Sequence, residues 1–210
     1  MITVEQIVTA DGFAAEPDGG MRFMEATVPE GDLSDEPQLA MLESVDAIVL
    51  GRRTYEMFAD YWPTADPAVE RVAEPINRLP KLVVSSTLER APWGPDAAGA
   101  EILRPVPSAA DAVRALGDRF GSVIVWGSLS LANALLEAGL VDRLRLRICP
   151  VLIGDGLRFA PPALGQRLLR LESSQALPSG HVLVEYAMGA GPAIALDSSA
   201  PRTHVEGDPQ

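Results

Sequence analysis

Three short apolar runs constrain this chain most: Asp46–Leu50, Lys81–Val84 and Val123–Trp126. Each is dense in β-branched residues and reads as a buried strand. Each breaks off at small or polar residues, respectively Gly51-Arg52-Arg53-Thr54, Ser85-Ser86-Thr87 and Gly127-Ser128-Leu129. A strand that stops at a glycine and feeds a helix leaves the first helical N–H groups pointing outward, where an anion can sit. Taken singly, such a junction is as readily an ordinary strand-to-helix turn. In a parallel α/β sheet, however, the strand C-terminal ends share one edge, and ligands bind in the crevice there. Together the three ends suit a nucleotide. Glycines admit a close backbone, helix N-termini take phosphates, and arginines with serines take one phosphate more.

The rest of the chain supports that layout. Residues 2–8 alternate like a strand and leave it through Thr9-Ala10-Asp11-Gly12-Phe13. Residues 14–37 carry many glycines, prolines and acids with weak periodicity, which predicts a long loop. Helices are expected over 38–45, over 67–79 with Pro80 closing it, from Ser108 to about Arg119, and over 132–138 with Gly139 as cap. Further strands are expected over 101–103, 141–149, 168–173 and 181–187. Strands alternating with helices in the first two thirds imply an α/β fold with a largely parallel sheet, and the consecutive late strands imply antiparallel additions at an edge. Residues 1–187 are expected to form one domain and residues 188–210, rich in Gly, Pro, Ala and Ser, a disordered tail.

Composition removes several function classes. A formal net charge of −12 argues against nucleic-acid binding, which wants a basic stripe. No apolar stretch approaches a membrane span, and the first residues lack a secretory signal pattern, so a cytoplasmic location is expected. The one cysteine, Cys149, lies in an apolar run and reads as a small core residue. With two histidines and no Cys/His cluster, no metal site is expected. The chain has neither G-x-G-x-x-G after its first strand nor G-x-x-x-x-G-K-[ST], so any dinucleotide is held in some other way.

The order Thr-x-Asp-Gly-Phe, Gly-Arg-Arg-Thr-Tyr-Glu, Lys-Leu-Val-Val-Ser-Ser-Thr, Val-Trp-Gly-Ser, Gly-Leu-Val-Asp-Arg-Leu and Pro-Val-Leu-Ile-Gly-Asp-Gly resembles the dihydrofolate reductase-like superfamily. Within it the chain is most similar to the branch named for the reductase (C-terminal) domain of the bifunctional riboflavin-biosynthesis deaminase/reductase. The resemblance spans roughly residues 1–187. It implies a mixed, mainly parallel sheet flanked by helices, with antiparallel strands at the C-terminal edge. It also implies NADPH bound across the strand ends, hydride transfer to a small substrate of pterin or ribosylamino-pyrimidine type, and a homodimer. No H-x-E with P-C-x-x-C is present, so no zinc deaminase partner domain is expected.

Carried over to this sequence, the resemblance puts Gly51, Arg52, Arg53 and Thr54 near the cofactor phosphates. Arg52 with Ser85 and Ser86, at the end continued by Thr87, would hold the 2′-phosphate. Gly127, Ser128 and Leu129 would receive the pyrophosphate, and Thr9 and Ala10 would lie beside the nicotinamide. Asp11 is the candidate for substrate binding or proton delivery, and Asp11-Gly12-Phe13 would begin a loop that closes over the site. Phe13 and Trp62 are candidate substrate contacts; Tyr61 and Trp62 read equally as a wall for a flat heterocycle or as core anchors, and Trp93 reads the same way. Many relatives carry paired glycines where this chain has Gly127-Ser128. Folate reductases place a carboxylate on the helix after the loop; Glu36 and Glu43 fall in that region, but neither aligns with it, so folate reduction itself is not supported as the substrate reading. A second reading, from another class, is a non-catalytic NADP-binding module that acts as a sensor or docking protein.

Overall fold

The computed structural model describes residues 1–27, 36–94 and 99–189; all but the first two residues of the expected tail lie outside them. Strands β1 (Ile2–Thr9), β3 (Ala47–Gly51), β4 (Lys81–Val84), β5 (Glu101–Leu103), β6 (Val123–Trp126), β7 (Arg143–Cys149), β9 (Leu169–Ala176) and β10 (Val182–Met188) form one sheet. Its order is β5-β4-β3-β6-β1-β7-β10-β9. From β5 to β7 every neighbouring pair is parallel, whereas β10 runs antiparallel to both β7 and β9. This is the expected mixed sheet with its antiparallel addition at the C-terminal edge. A small second sheet pairs β2 (Phe13–Ala15) with β8 (Leu157–Arg158).

Both faces of the parallel half are covered, which is why its inner strands β3, β4 and β6 are almost wholly apolar. On one face Val4, Val49, Leu82 and Val125 pack against Val113 of α5 (Ala109–Arg114) and Leu131 and Leu135 of α6 (Leu129–Glu137). On the other, Ile48, Leu50, Val83 and Ile124 meet Met41 and Leu42 of α2 (Glu36–Glu43), Tyr55 of α3 (Arg52–Tyr61) and Ile76 of α4 (Ala73–Arg78). The capping serine is in place, with Ser108 Oγ accepting from the Asp111 N–H.

Two expectations need correction. Residues 14–37 are not one loop: Ala14 and Ala15 belong to β2, a short helix α1 spans Arg22–Glu25, and α2 begins at Glu36. Residues 67–79 are helical only from Ala73 to Arg78. Before that, the Asp66 carbonyl accepts from the Val69 and Glu70 N–H groups and its carboxylate from Ala68, closing turns in place of a helix. Pro75 lacks the N–H that an earlier start would require, so it is tolerated only in a first turn.

Candidate functional site

The strand ends of β3 and β6 lie side by side in space, and their two helices start within contact of one another. A side chain on Gly51 would put Cβ 3.2 Å from Ser128 Cβ and Oγ, so glycine there lets the two turns touch. Ser128 Oγ accepts from the Gly51 N–H at 2.7 Å and lies 2.9 Å from Thr54 Oγ1, which in turn accepts from the Ser128 N–H at 3.1 Å. Gln6, on β1, donates to the Gly127 carbonyl at 2.6 Å. Gly127 and Ser128 both have left-handed backbones, φ 52° and 54°. Serine thus occupies a position that favours glycine, held there by its hydroxyl bonds. The first-turn N–H groups of α3 and α6 have no intrahelical acceptor, and the partial positive ends of both helices converge. An anion is favoured here.

One strand further out, Arg52 leans across to the end of β4. Its Nη1 donates to Thr87 Oγ1 at 2.9 Å while Nε pairs with Glu56 at 2.7 Å. Ser85 is buried, and its hydroxyl accepts from the Thr87 and Leu88 N–H groups, which shapes the turn. Ser86, Thr87 and Arg53 are exposed. An arginine that the sequence reading passed over completes this corner. Arg104, one residue past β5, donates from Nη1 to the Ser85 carbonyl at 2.9 Å. Its signal in the sequence is that Glu101–Leu103 is itself a strand ending on the same edge.

The exit of β1 is arranged differently. Thr9 is buried; its hydroxyl donates to Asp11 Oδ1 at 2.5 Å and accepts from the Phe13 N–H at 3.0 Å. Asp11 Oδ2 also accepts from the Ile153 and Gly154 N–H groups at 3.2 and 2.8 Å. The Thr9 hydroxyl, followed by these backbone donors, holds the Asp11 carboxyl below the usual carboxylate range. Asp11 is therefore an ionised acceptor that ties the β1 exit to the Ile153-Gly154 turn, an arrangement unlike that of an acid ready to release a proton. Ala10 is exposed beside it. Phe13 is 7 % exposed, with the Arg158 guanidinium 4.7 Å above its ring, so it packs rather than faces solvent.

Trp62 lies at the far end of α3, about 16 Å along the helix from Gly51. Its ring meets Tyr61 and Phe58 edge-on, Phe58 in turn meets Trp126 at the end of β6, and the Trp62 carbonyl accepts from Asn77, so Trp62 fastens α3 to α4. Trp93 is fully buried and donates to Asn77 Oδ1. Glu36 pairs with Arg71 on the surface at 2.5 Å, and Glu43 is exposed. Cys149 is buried, which pushes its thiol pKa up and makes it inert. Among the described residues no group of His, Cys, Asp or Glu is placed to hold a metal ion, and no helix is long and apolar enough to cross a membrane.

Comparison with known proteins agrees with this architecture. The model of the RibD C-terminal domain family matches residues 1–183. The uncharacterised protein YyaP of Bacillus subtilis is 26% identical over 188 residues, 88% of this chain and 93% of that protein. Among solved structures, a protein named for riboflavin biosynthesis from Shewanella sp. PV-4 superposes with a TM-score of 0.71 at 19% identity, covering 90% of this chain and 98% of the other. A pyrimidine reductase-like protein from Corynebacterium diphtheriae gives 0.61 at 20% identity, with 90% and 92% covered. A diaminohydroxyphosphoribosylaminopyrimidine deaminase/5-amino-6-(5-phosphoribosylamino)uracil reductase from Thermotoga maritima gives 0.57 at 14% identity, with 90% of this chain matching 56% of that one. At these identities the structural likeness is one of fold.

Proposed function

Because the chain belongs to the RibD C-terminal domain family, we propose that it is a cytoplasmic NADPH-dependent reductase acting on a small heterocycle of the pyrimidine or pterin type. The observation that carries this reading is the convergence of two helix starts, at Gly51 and at Gly127-Ser128, beside an arginine fork that reaches Thr87. The residues fit the cofactor by their chemistry. Two helix N-termini in contact suit a pyrophosphate, and Arg52 with the exposed Ser86 and Thr87 hydroxyls suits a phosphate monoester.

In this reading Gly51 to Thr54 and Gly127 to Leu129 hold the pyrophosphate, while Arg52 and residues 85–87 take the 2′-phosphate. Thr9 and Ala10 flank the nicotinamide. When bound, NADPH supplies the hydride; the protein supplies orientation and shields the reacting atoms from water. Asp11, ionised and held by three donors, binds and orients at the substrate side, and the proton comes from water or from a hydroxyl of the substrate.

The test is a pair of measurements on the purified chain. Tryptophan fluorescence is titrated with NADPH and NADH, Trp126 lying one residue before Gly127. NADPH oxidation is then followed with ribosylamino-pyrimidines, pterins and simple carbonyls. The expected result is tighter binding of NADPH than NADH and oxidation with a nitrogen heterocycle. Absence of NADPH binding overturns the reading; tight binding with no turnover on any compound favours the non-catalytic module.

A further inference from the structure

The turn after β4 is approached by cations from both sides. Arg52 comes from the β3 side to Thr87 Oγ1, and Arg104 comes from the β5 side to the Ser85 carbonyl, each at 2.9 Å. The residues of the turn itself, Ser86 and Thr87, are exposed. Ser85 is buried and shapes this turn, its hydroxyl accepting from the Thr87 and Leu88 N–H groups and its own N–H bonding the Leu103 carbonyl. Arg52 has a carboxylate neighbour, Glu56, whereas Arg104 has no carboxylate partner among the described residues. Arg104 therefore spends one N–H on a carbonyl and keeps the rest of its fork for another acceptor.

In a chain of net charge −12, two guanidinium groups converging on one small turn form a local field of the opposite sign. A dianionic phosphate monoester matches it: two forks offer bidentate donors, and the two hydroxyls fill the remaining acceptor sites. We infer that Arg104 is a second determinant of cofactor choice, gripping the 2′-phosphate of NADPH from the side opposite Arg52. This rests on the cofactor reading above and assigns to Arg104 a contact with the ligand in addition to its support of the turn.

The experiment measures dissociation constants of NADPH, NADH, 2′,5′-ADP and 5′-AMP for the wild type, Arg104→Ala, Arg104→Lys and Arg52→Ala. Loss of a charged hydrogen bond predicts that Arg104→Ala weakens NADPH and 2′,5′-ADP roughly ten- to a hundredfold. Affinity for NADH and 5′-AMP should stay within about twofold, since neither carries a 2′-phosphate for the fork to hold. Arg104→Lys should recover part of the loss, having the charge without the fork. A second readout is the phosphorus NMR titration of bound 2′,5′-ADP. The 2′-phosphate should titrate at lower pH in the wild type than in Arg104→Ala, because an adjacent cation favours the dianion.

Three outcomes separate the ideas. Equal weakening of all four ligands means that Arg104 only shapes the turn, and the inference fails. Unchanged affinities in Arg104→Ala together with a selective loss in Arg52→Ala also defeat it while leaving the cofactor reading intact. If the wild type itself binds neither NADPH nor 2′,5′-ADP, the cofactor reading falls, and this inference with it.

Discussion

At the scale of single residues, Ser128 shows how a side chain can hold a backbone where glycine would be easier. Its φ of 54° is disfavoured for an L-residue by about 1–2 kcal/mol, and its hydroxyl offsets this by bridging Gly51 and Thr54. Ser128→Ala keeps the strain and loses the bridge, so it should lower unfolding stability by about 1–2 kcal/mol. Ser128→Gly loses the bridge but relieves the strain, and should be more stable than the alanine variant by about 1 kcal/mol. Denaturant melts of the three proteins check the order; an alanine variant equal to or better than glycine contradicts the strain argument. Asp11 gives a pH signature. Its folded pKa lies below the unfolded value near 3.9, so its stabilisation is present above that value and fades as pH falls through the folded one. Melting temperatures of wild type and Asp11→Asn should differ at neutral pH and converge as pH falls below the unfolded value and through the folded one. A gap that persists in acid would mean that the carboxylate charge is not what holds the Ile153-Gly154 turn.

At the scale of elements, helix α2 is fastened to the sheet by a buried charge. Arg145, 2 % exposed on β7, pairs with Glu5 of β1 at 2.9 Å, lies 3.0 Å from Glu185 of β10, and donates to Gln38 and the Pro37 carbonyl at the start of α2. Arg145→Met strands the Glu5 carboxylate and should cost about 3–5 kcal/mol, whereas adding Glu5→Gln should restore part of it. Chemical denaturation of both variants tests this, and a double variant no better than the single one would show that Glu5 is not the stranded group. None of this was readable in advance, since partners 140 and 107 positions apart leave no local pattern. The strand ends at Gly51, Ser85 and Gly127 were legible because β-branched runs and breakers are local signals. Pro75 carried the true start of α4, but the apolar periodicity around it masked the signal. Strand β2 was invisible because three residues become a strand only by pairing with β8, far along the chain. At the site, Arg52 could be read beside its glycine, while Phe13 and Trp62 could not be placed, since an aromatic residue's exposure is decided by what packs over it.

At the scale of the whole molecule, β9 is the edge of the sheet, and its outer side has no strand paired to it among the described residues. All eight of its residues are exposed, and Leu168, Leu169 and Leu171 are 67%, 38% and 54% exposed. A sheet edge with unpaired backbone groups and leucines invites another strand, and proteins that stay monomeric blunt such edges. Arg170 and Glu172 flank Leu171 with opposite charge, so the edge is complementary to its own antiparallel copy. We propose that a second copy of this chain covers it, which agrees with the homodimer expected from the family resemblance. Replacing Leu169 and Leu171 by lysine removes the apolar contact and sets like charges against each other across the twofold axis. Since both side chains already face solvent in one chain, its own fold should be unaffected. Light scattering should then give twice 22.3 kDa for the wild type and 22.3 kDa for the double lysine variant, with unchanged circular dichroism. A wild type that stays at 22.3 kDa at every concentration would show that the edge is left open, and a variant that remains dimeric would move the interface elsewhere.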